Sequence, residues 1–262
     1  MKIQKHIILN TIANTLFVGK VLLHYRTLES TNLTAMEYLS KNTPSEGTTI
    51  YTYRQHGGRG QIGSKWESEP DKNVSLSTIL FPEFLPSRQQ FLLSQTVSLA
   101  IYDFLSTYIT SNLRIKWPND LYVGNKKIGG ILIQNVLSGP RLQSSVVGIG
   151  LNINQTTFLS DAPNPISLSQ LTGKTYDLDT LLAEFCQAFD LRYRQLRAEK
   201  YQEIEQSYLV RLYRYGEEAI FQRENLSIFV GRITGIAPDG KLQIATQKGL
   251  EKFGLKEVSF VQ

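Results

Sequence analysis

Cysteine is almost missing from these 262 residues: Cys186 stands alone. No disulfide can close within the chain, which fits a reducing compartment. Long apolar runs are missing too. The start carries Lys2 and Lys5, then Ile7, Ile8, Leu9 and Ile12, but Asn10, Thr11, Asn14 and Thr15 break the run. It is too short and too polar to span a membrane, and no small-residue cleavage site follows it. The sequence therefore reads as cytoplasmic. Nineteen glycines and nine prolines are no excess, so neither a disordered nor a fibrous chain is indicated. No period of twenty to fifty residues marks a repeat protein.

What is present is an ordinary globular composition, 41% hydrophobic and 19% charged, with a net charge of +5. That length suits one large domain, or a medium one with a small companion. The positive charge is spread thinly. Its densest cluster, Lys126-Lys127, lies inside an apolar segment rather than in a basic tail. Such a balance suits an enzyme that handles ATP or an acidic partner at least as well as a nucleic-acid binder.

Strand patterns run over Thr15–His24, Thr48–Tyr53, Val74–Phe81 and Ser144–Ile153. Another covers Leu113–Lys116 and is expected to continue through Trp117, because Pro118 favours extended backbone before it. Leu121–Val123 and Lys126–Gln134 flank Gly124-Asn125, a two-residue hairpin signal. Helical periodicity runs over Pro86–Tyr108 and again from Leu181 to Leu196, where Cys186 falls among apolar neighbours and reads as a small buried hydrophobe. Glu29-Ser30-Thr31-Asn32 is a helix-start signal. After Tyr215-Gly216 only short strands follow, with a turn at Pro238-Asp239-Gly240. The expected fold is α+β, with a larger domain over 1–215 and a small all-β module over 216–262.

Two segments invite chemistry. Gly58-Arg59-Gly60-Gln61-Ile62-Gly63 spells G-x-G-x-x-G. No amphipathic helix follows it, so the dinucleotide-binding reading fails. Gly63-Ser64-Lys65 has the wrong order for a P-loop, and the other kinase motifs are missing. Backbone N–H groups in such a loop can approach an anion, and Arg59 can fork onto a carboxylate or phosphate. A tight turn with a solvated arginine explains the same residues.

The second segment runs from Lys116 to Gly130. A hairpin brings Lys116-Trp117-Pro118-Asn119-Asp120 near Lys126-Lys127-Ile128-Gly129-Gly130. Cations beside a carboxylate, an amide and two glycines suit attack of a carboxylate on the α-phosphate of ATP. Positive charge there offsets the repulsion of two anions and stabilises the pentavalent transition state. By spacing alone, the two lysines serve equally well as edge charges that block unwanted strand pairing.

The strings Lys116-Trp117-Pro118-Asn119-Asp120-Leu121 and Lys127-Ile128-Gly129-Gly130-Ile131-Leu132 closely resemble the signature of biotin protein ligases. Ser30-Thr31-Asn32, the loop from Gly58 to Trp66, and Gly148-Ile149-Gly150-Leu151-Asn152 resemble further elements of that family, in the same order. The resemblance covers about Asn14 to Gln262. It implies a class II synthetase-like catalytic domain with a mixed or antiparallel sheet, flanking helices and a C-terminal SH3-like barrel. It also implies an activity: biotin and ATP give biotinyl-5′-AMP, and a lysine of a biotin carboxyl carrier protein then takes the biotinyl group.

Carried over by motif, Lys127, Arg59 and Asp120 would be catalytic. Ser30, Thr31, Asn32, Gln55, Arg59, Gly60, Gln61, Lys127 and Gly130 would hold biotin. Gly58, Arg59, Trp66, Lys116, Asn119, Lys127 and Asn152 would hold the nucleotide, with Mg²⁺ accompanying ATP. Gln61 and Ser64 depart from the pattern, since many members carry arginine there. Too few residues precede Ser30 for the DNA-binding domain of some members, so no specific DNA binding is expected, and a strand-edge homodimer would suit the family. The nearest rival enzyme is a lipoate or octanoate protein ligase, against which the Lys116–Asp120 string speaks. The rival of another class is a non-catalytic synthetase-like binding module, against which the retained Arg59 and Lys127 speak.

Overall fold

The computed structural model describes residues 9–61, 63–160 and 164–261. The charged start at residues 1–8, read above as no membrane span, lies outside the described residues, as do Ile62 and Gln262. No helix among the described residues is long and apolar enough to cross a membrane.

Among the described residues, fifteen strands and five α-helices follow in order. They are β1 (Leu9–Asn10), β2 (Leu22–His24), α1 (Thr31–Lys41), β3 (Thr49–Thr52), β4 (Gly58–Arg59), β5 (Lys65–Trp66) and β6 (Val74–Leu80). Next come α2 (Phe91–Ser106), β7 (Leu113–Lys116), β8 (Asp120–Val123), β9 (Lys126–Ser138) and β10 (Arg141–Leu151). Then follow α3 (Leu168–Thr172), α4 (Leu178–Arg197) and α5 (Tyr201–Leu209). The chain ends with β11 (Glu218–Arg223), β12 (Ile228–Ile236), β13 (Leu242–Thr246), β14 (Gly249–Phe253) and β15 (Val258–Phe260).

Eight strands form one sheet in the order β1-β2-β3-β6-β10-β9-β8-β7. β2 and β3 run parallel and the other neighbours antiparallel, so the sheet is mixed, as the resemblance implied. Alternate residues of its strands serve two cores. Val147 and Ile149 belong to the large core with Leu93, Val97, Phe185 and Phe189 of α2 and α4. Val146 belongs to a smaller core with Ile79, Ile50 and Ala35 of α1. The helices therefore cover opposite faces.

Three expectations shift. The strand predicted over Thr15–His24 shrinks to Leu22–His24, because the polar Asp190 carboxylate accepts the N–H groups of Leu16, Phe17 and Val18 and holds that stretch as a turn. β7 stops at Lys116 rather than passing through Trp117, and the Trp117–Pro118 peptide is cis. The C-terminal strands form a five-stranded antiparallel sheet in the order β14-β13-β12-β11-β15, with no closing ladder between its two edges. α5 and β14 were not visible in the periodicity.

The small sheet shares the main core: Phe221, Ile233 and Leu242 pack into the same apolar cluster as α2. Trp117 pins the junction by donating its indole N–H to the Gly240 carbonyl at 2.9 Å.

Candidate active site

The α1 face of the sheet carries a cleft of about 590 Å³, within the usual range for small-molecule sites. Its floor is the middle of β9 and β10. Gly130 and Gly150 stand opposite one another in that ladder, and Gly148 pairs with Leu132. Each glycine has a steric reason. A β-carbon on Gly148 would lie 2.5 Å from Nδ2 of Asn32. One on Gly150 would lie 2.3 Å from the Trp66 indole, whose edge is 3.4 Å from the same position on Gly130.

One end of the floor is neutral. Ser30 caps α1 by accepting the Leu33 N–H. The Thr31 N–H donates to Oε1 of Gln55 at 2.8 Å, and the Thr31 hydroxyl accepts from Ser77 at 2.9 Å. Asn32 donates from Nδ2 to the Leu132 carbonyl at 3.2 Å, while its buried Oδ1 has no protein partner. The Trp66 indole N–H, further along, is likewise buried and without one. Buried polar atoms are normally satisfied, so these two are free to meet a ligand's donors and acceptors.

The other end is charged. Lys127 Nζ lies 2.7 Å from Oδ1 of Asp120 and 5.9 Å from the Trp66 ring centre. Asp120 Oδ1 counts no hydrogen bond, so this contact is an ion pair by distance rather than by hydrogen-bond angle. A β-bulge brings Lys127 here. Between β8 and β9 the register shifts, with Leu121 opposite Gly129 but Tyr122 opposite Lys127. Ile128 is the extra residue and is fully buried. Without that insertion Lys127 would share the face of Gly129, which abuts Leu151. With it, Lys127 shares the face of Gly130, whose added β-carbon would stand 3.4 Å from Nζ. Lys126 points to solvent at the hairpin end.

Lys116 is half-buried. Its Nζ lies 4.5 Å from the Tyr122 ring centre and 5.1 Å from that of Phe260. Burial lowers its pKa, and Lys127 and Arg214 push the same way against Asp120. Burial and the Asp120 charge raise the Tyr122 phenol, so it stays a neutral donor.

The residues singled out by motif converge unevenly. Ser30, Thr31, Asn32, Gln55, Gly60, Gln61, Trp66, Lys116, Asn119, Asp120, Lys127 and Gly130 all line the cleft. Arg59 lines it too, but half of its side chain is exposed and its nearest acid is Glu29 at 3.9 Å. Gly58↔Trp66 and Arg59↔Lys65 are successive pairs of the β4–β5 ribbon, so Arg59 leaves the face opposite Trp66. Asn119 uses its amide to donate to the Ile131 carbonyl at 2.7 Å.

Two residues fall outside the lining. Gly58 makes room: a β-carbon would meet the Gln55 amide at 2.8 Å and the Trp66 carbonyl at 2.3 Å. Asn152 is buried and donates to the carbonyls of Ile166 at 3.1 Å and Lys127 at 3.5 Å. It ties the Lys127 backbone to the segment before α3.

One wall was missed. Leu255, Lys256, Val258, Ser259 and Phe260 of the C-terminal module line the cleft beside Lys116. No local motif marks them. Their place depends on how the small sheet docks.

Comparison with known proteins gives this geometry a family. The model of the biotin/lipoate A/B protein ligase family matches residues 23–152. The chain is 30% identical over 241 residues to the bifunctional ligase/repressor BirA of Bacillus subtilis, covering 90% of this chain and 72% of that protein. It is 31% identical over 219 residues to the biotin–[acetyl-CoA-carboxylase] ligase of Paracoccus denitrificans, covering 80% and 89%. The solved structure of the Aquifex aeolicus biotin protein ligase in complex with biotin and ATP superimposes with a TM-score of 0.75 at 26% identity, over 92% of this chain and 98% of that one. With sequence likeness along most of its length and the same fold, the chain belongs to the biotin/lipoate A/B protein ligase family, as one of its biotin protein ligases.

Proposed function

We propose that this ligase activates biotin with ATP and transfers it to a lysine of a biotin carboxyl carrier protein. The observation that carries the reading is the polarity of the cleft floor. Asn32 presents an unpartnered acceptor over Gly148, and Lys127 presents a cation over Gly130, with an indole N–H between them. Gly148 and Gly150 are two residues apart, roughly 7 Å along the strand. A neutral cyclic urea fits the Asn32 end, and a carboxylate fits the Lys127 end. A dithiolane ring has no N–H for Asn32, which favours biotin over lipoate.

In the first step a biotin carboxylate oxygen attacks the α-phosphorus of ATP, the bond to the bridging oxygen breaks, and pyrophosphate leaves. Lys127 neutralises charge shared by the carboxylate and the α-phosphate. Ion pairing with Asp120 holds its Nζ in place meanwhile, and Asn152 and the bulge hold its main chain. In the second step the carrier's lysine amine attacks the acyl carbon and AMP departs. Asp120 is the one carboxylate of the lining available to take that amine's proton. Ser30, Thr31, Asn32 and Gln55 hold the urea end. Trp66 covers the centre, and Gly60, Gln61 and Arg59 close the mouth. Lys116 and Asn119 face the phosphates.

Mg²⁺ would accompany ATP. Among the described residues no group of three or more His, Cys, Asp or Glu gathers to hold an ion. A single carboxylate beside phosphates is nonetheless a donor set that Mg²⁺ accepts, since it keeps waters and nucleotide oxygens. Asp120 would hold it, and the ion would supply charge neutralisation at the phosphates.

The test is mass spectrometry of a biotin carboxyl carrier domain incubated with the protein, biotin and Mg·ATP. Addition of one biotinyl group to one lysine is expected. No added biotinyl group, with lipoyl addition in a parallel incubation that supplies lipoate instead, would overturn the reading.

A further inference from the structure

Glu67 follows the cleft tryptophan and has no part in the chemistry proposed above. Its carboxylate is nevertheless fully engaged. Oε1 accepts from the Gln155 side-chain amide and from the Leu159 N–H, each at 2.9 Å. Oε2 accepts from the Leu159 N–H at 3.1 Å and from the Ser160 N–H at 2.7 Å. Burial alone would raise the carboxyl's pKa, but these bonds from Ser160, Leu159 and Gln155 hold it below the usual range.

The Leu159 side chain beside these bonds is 88% exposed, so burial of that side chain does not hold the segment. Behind Glu67 the strut continues inward. Gln155 is 1% exposed. Its Oε1 accepts from the Glu69 N–H at 3.0 Å and from the Asn73 amide at 2.5 Å. Asn73 in turn accepts the Ile153 N–H at 2.9 Å.

Ahead of α3, Asn164 and Ile166 bracket the main chain of Lys127. The Lys127 N–H donates to the Asn164 carbonyl at 2.8 Å, and the Ile166 N–H donates to the Lys127 carbonyl at 2.9 Å. Residues 155–160 are thus tied to the base of the β4–β5 ribbon by Glu67, and residues 164–166 are tied separately to β9 by Lys127.

We infer that Glu67 is a positioning residue of the adenylate-forming cleft. Its carboxylate clasps residues 155–160 to the end of the glycine ribbon, and this fixes the seat of Trp66 on Gly130 and Gly150. A carboxylate suits the task because charge-assisted bonds to backbone N–H groups are about twice as strong as neutral ones. The inference rests on the proposed activity for its kinetic consequence, but not for the clasp itself.

Glu67→Ala and Glu67→Gln in the full chain test it by two measurements. The first is amide hydrogen exchange at Leu159 and Ser160. The second is biotin-dependent ATP–pyrophosphate exchange. Exchange of both amides is expected to accelerate about tenfold in Glu67→Ala, the equivalent of one hydrogen bond, and by less in Glu67→Gln, which keeps one acceptor oxygen. The KM for biotin should rise by a similar factor, with kcat within about threefold, because Lys127 and Asp120 are untouched. A merely structural role would leave KM alone. Unchanged amide exchange overturns the clasp, and faster amide exchange with an unchanged KM overturns its service to the cleft. If the unaltered protein shows no biotin-dependent exchange, the functional reading falls, and the amide measurement still decides the clasp. Should the alanine variant fail to fold, the glutamine variant carries both measurements.

Discussion

The Trp66 indole rests on the bare α-carbon of Gly150, where a β-carbon would stand 2.3 Å from Cε2 and 2.6 Å from Nε1. The restriction is one of space, since Gly150 is not among the residues with positive φ. Gly150→Ala is therefore expected to lift the ring off the sheet. Overpacking of this kind costs about 1–3 kcal/mol, readable by urea unfolding. The KM values for biotin and ATP should rise by on the order of tenfold. Wild-type kinetics in a folded Gly150→Ala protein would show that the seat of the indole is irrelevant.

The bulge at Ile128 separates two adjacent lysines. Lys127→Ala should lower the rate of pyrophosphate exchange by roughly 10²–10³, the usual effect of losing one group that stabilises a charged transition state. Lys126→Ala should stay within about twofold, because that side chain is exposed and carries no comparable contact. Equal losses from both substitutions would mean that the bulge does not sort them.

Lys116 predicts a pH dependence. Burial sets its folded pKa below the ordinary 10.5. Between the two values the folded chain binds fewer protons than the unfolded chain, so stability from this group grows as pH rises through that window. Below the window the charged amine costs stability. Lys116→Met is expected to melt higher than the unaltered protein at pH 7, with the gap closing as pH approaches 10.5. A gap that widens with pH would give the shift the opposite sign.

Trp117 joins the catalytic sheet to the small one. Trp117→Phe keeps a ring in the core but leaves the Gly240 carbonyl without its 2.9 Å donor. The expected loss is about 1–3 kcal/mol, seen as a lower urea midpoint with an unchanged slope. A changed slope would instead report the small sheet unfolding separately.

Much of this molecule was legible beforehand for local reasons. Ser30 at the head of an apolar-periodic stretch is the N-cap of α1, because its hydroxyl satisfies a free N–H of the first turn. Gly124 adopts φ 57°, so the Gly124-Asn125 pair turns the β8–β9 hairpin as read. Cys186 is fully buried, as expected, and burial pushes its thiol up to about 12. Of the residues assigned to ligands by motif, all but Gly58 and Asn152 line one cleft.

The rest depends on pairing and docking between distant segments. Spacing placed Lys126 and Lys127 on an equal footing, and the register shift opposite Leu121 and Tyr122 chose between them. Asn152 reads like a ligand-facing residue in its motif, yet its amide bonds to Ile166 and Lys127 carbonyls. Phe260 reaches Lys116 only because the small sheet packs beside β7 and β8. Sequence by itself determined the family motifs, the helix start and the hairpin, since each is fixed by neighbours within a few residues. The motif named Lys127, but only the tertiary structure showed why it and not Lys126 enters the cleft, and which wall encloses it. A bulge is a property of two strands together, and a docked surface joins residues more than a hundred positions apart.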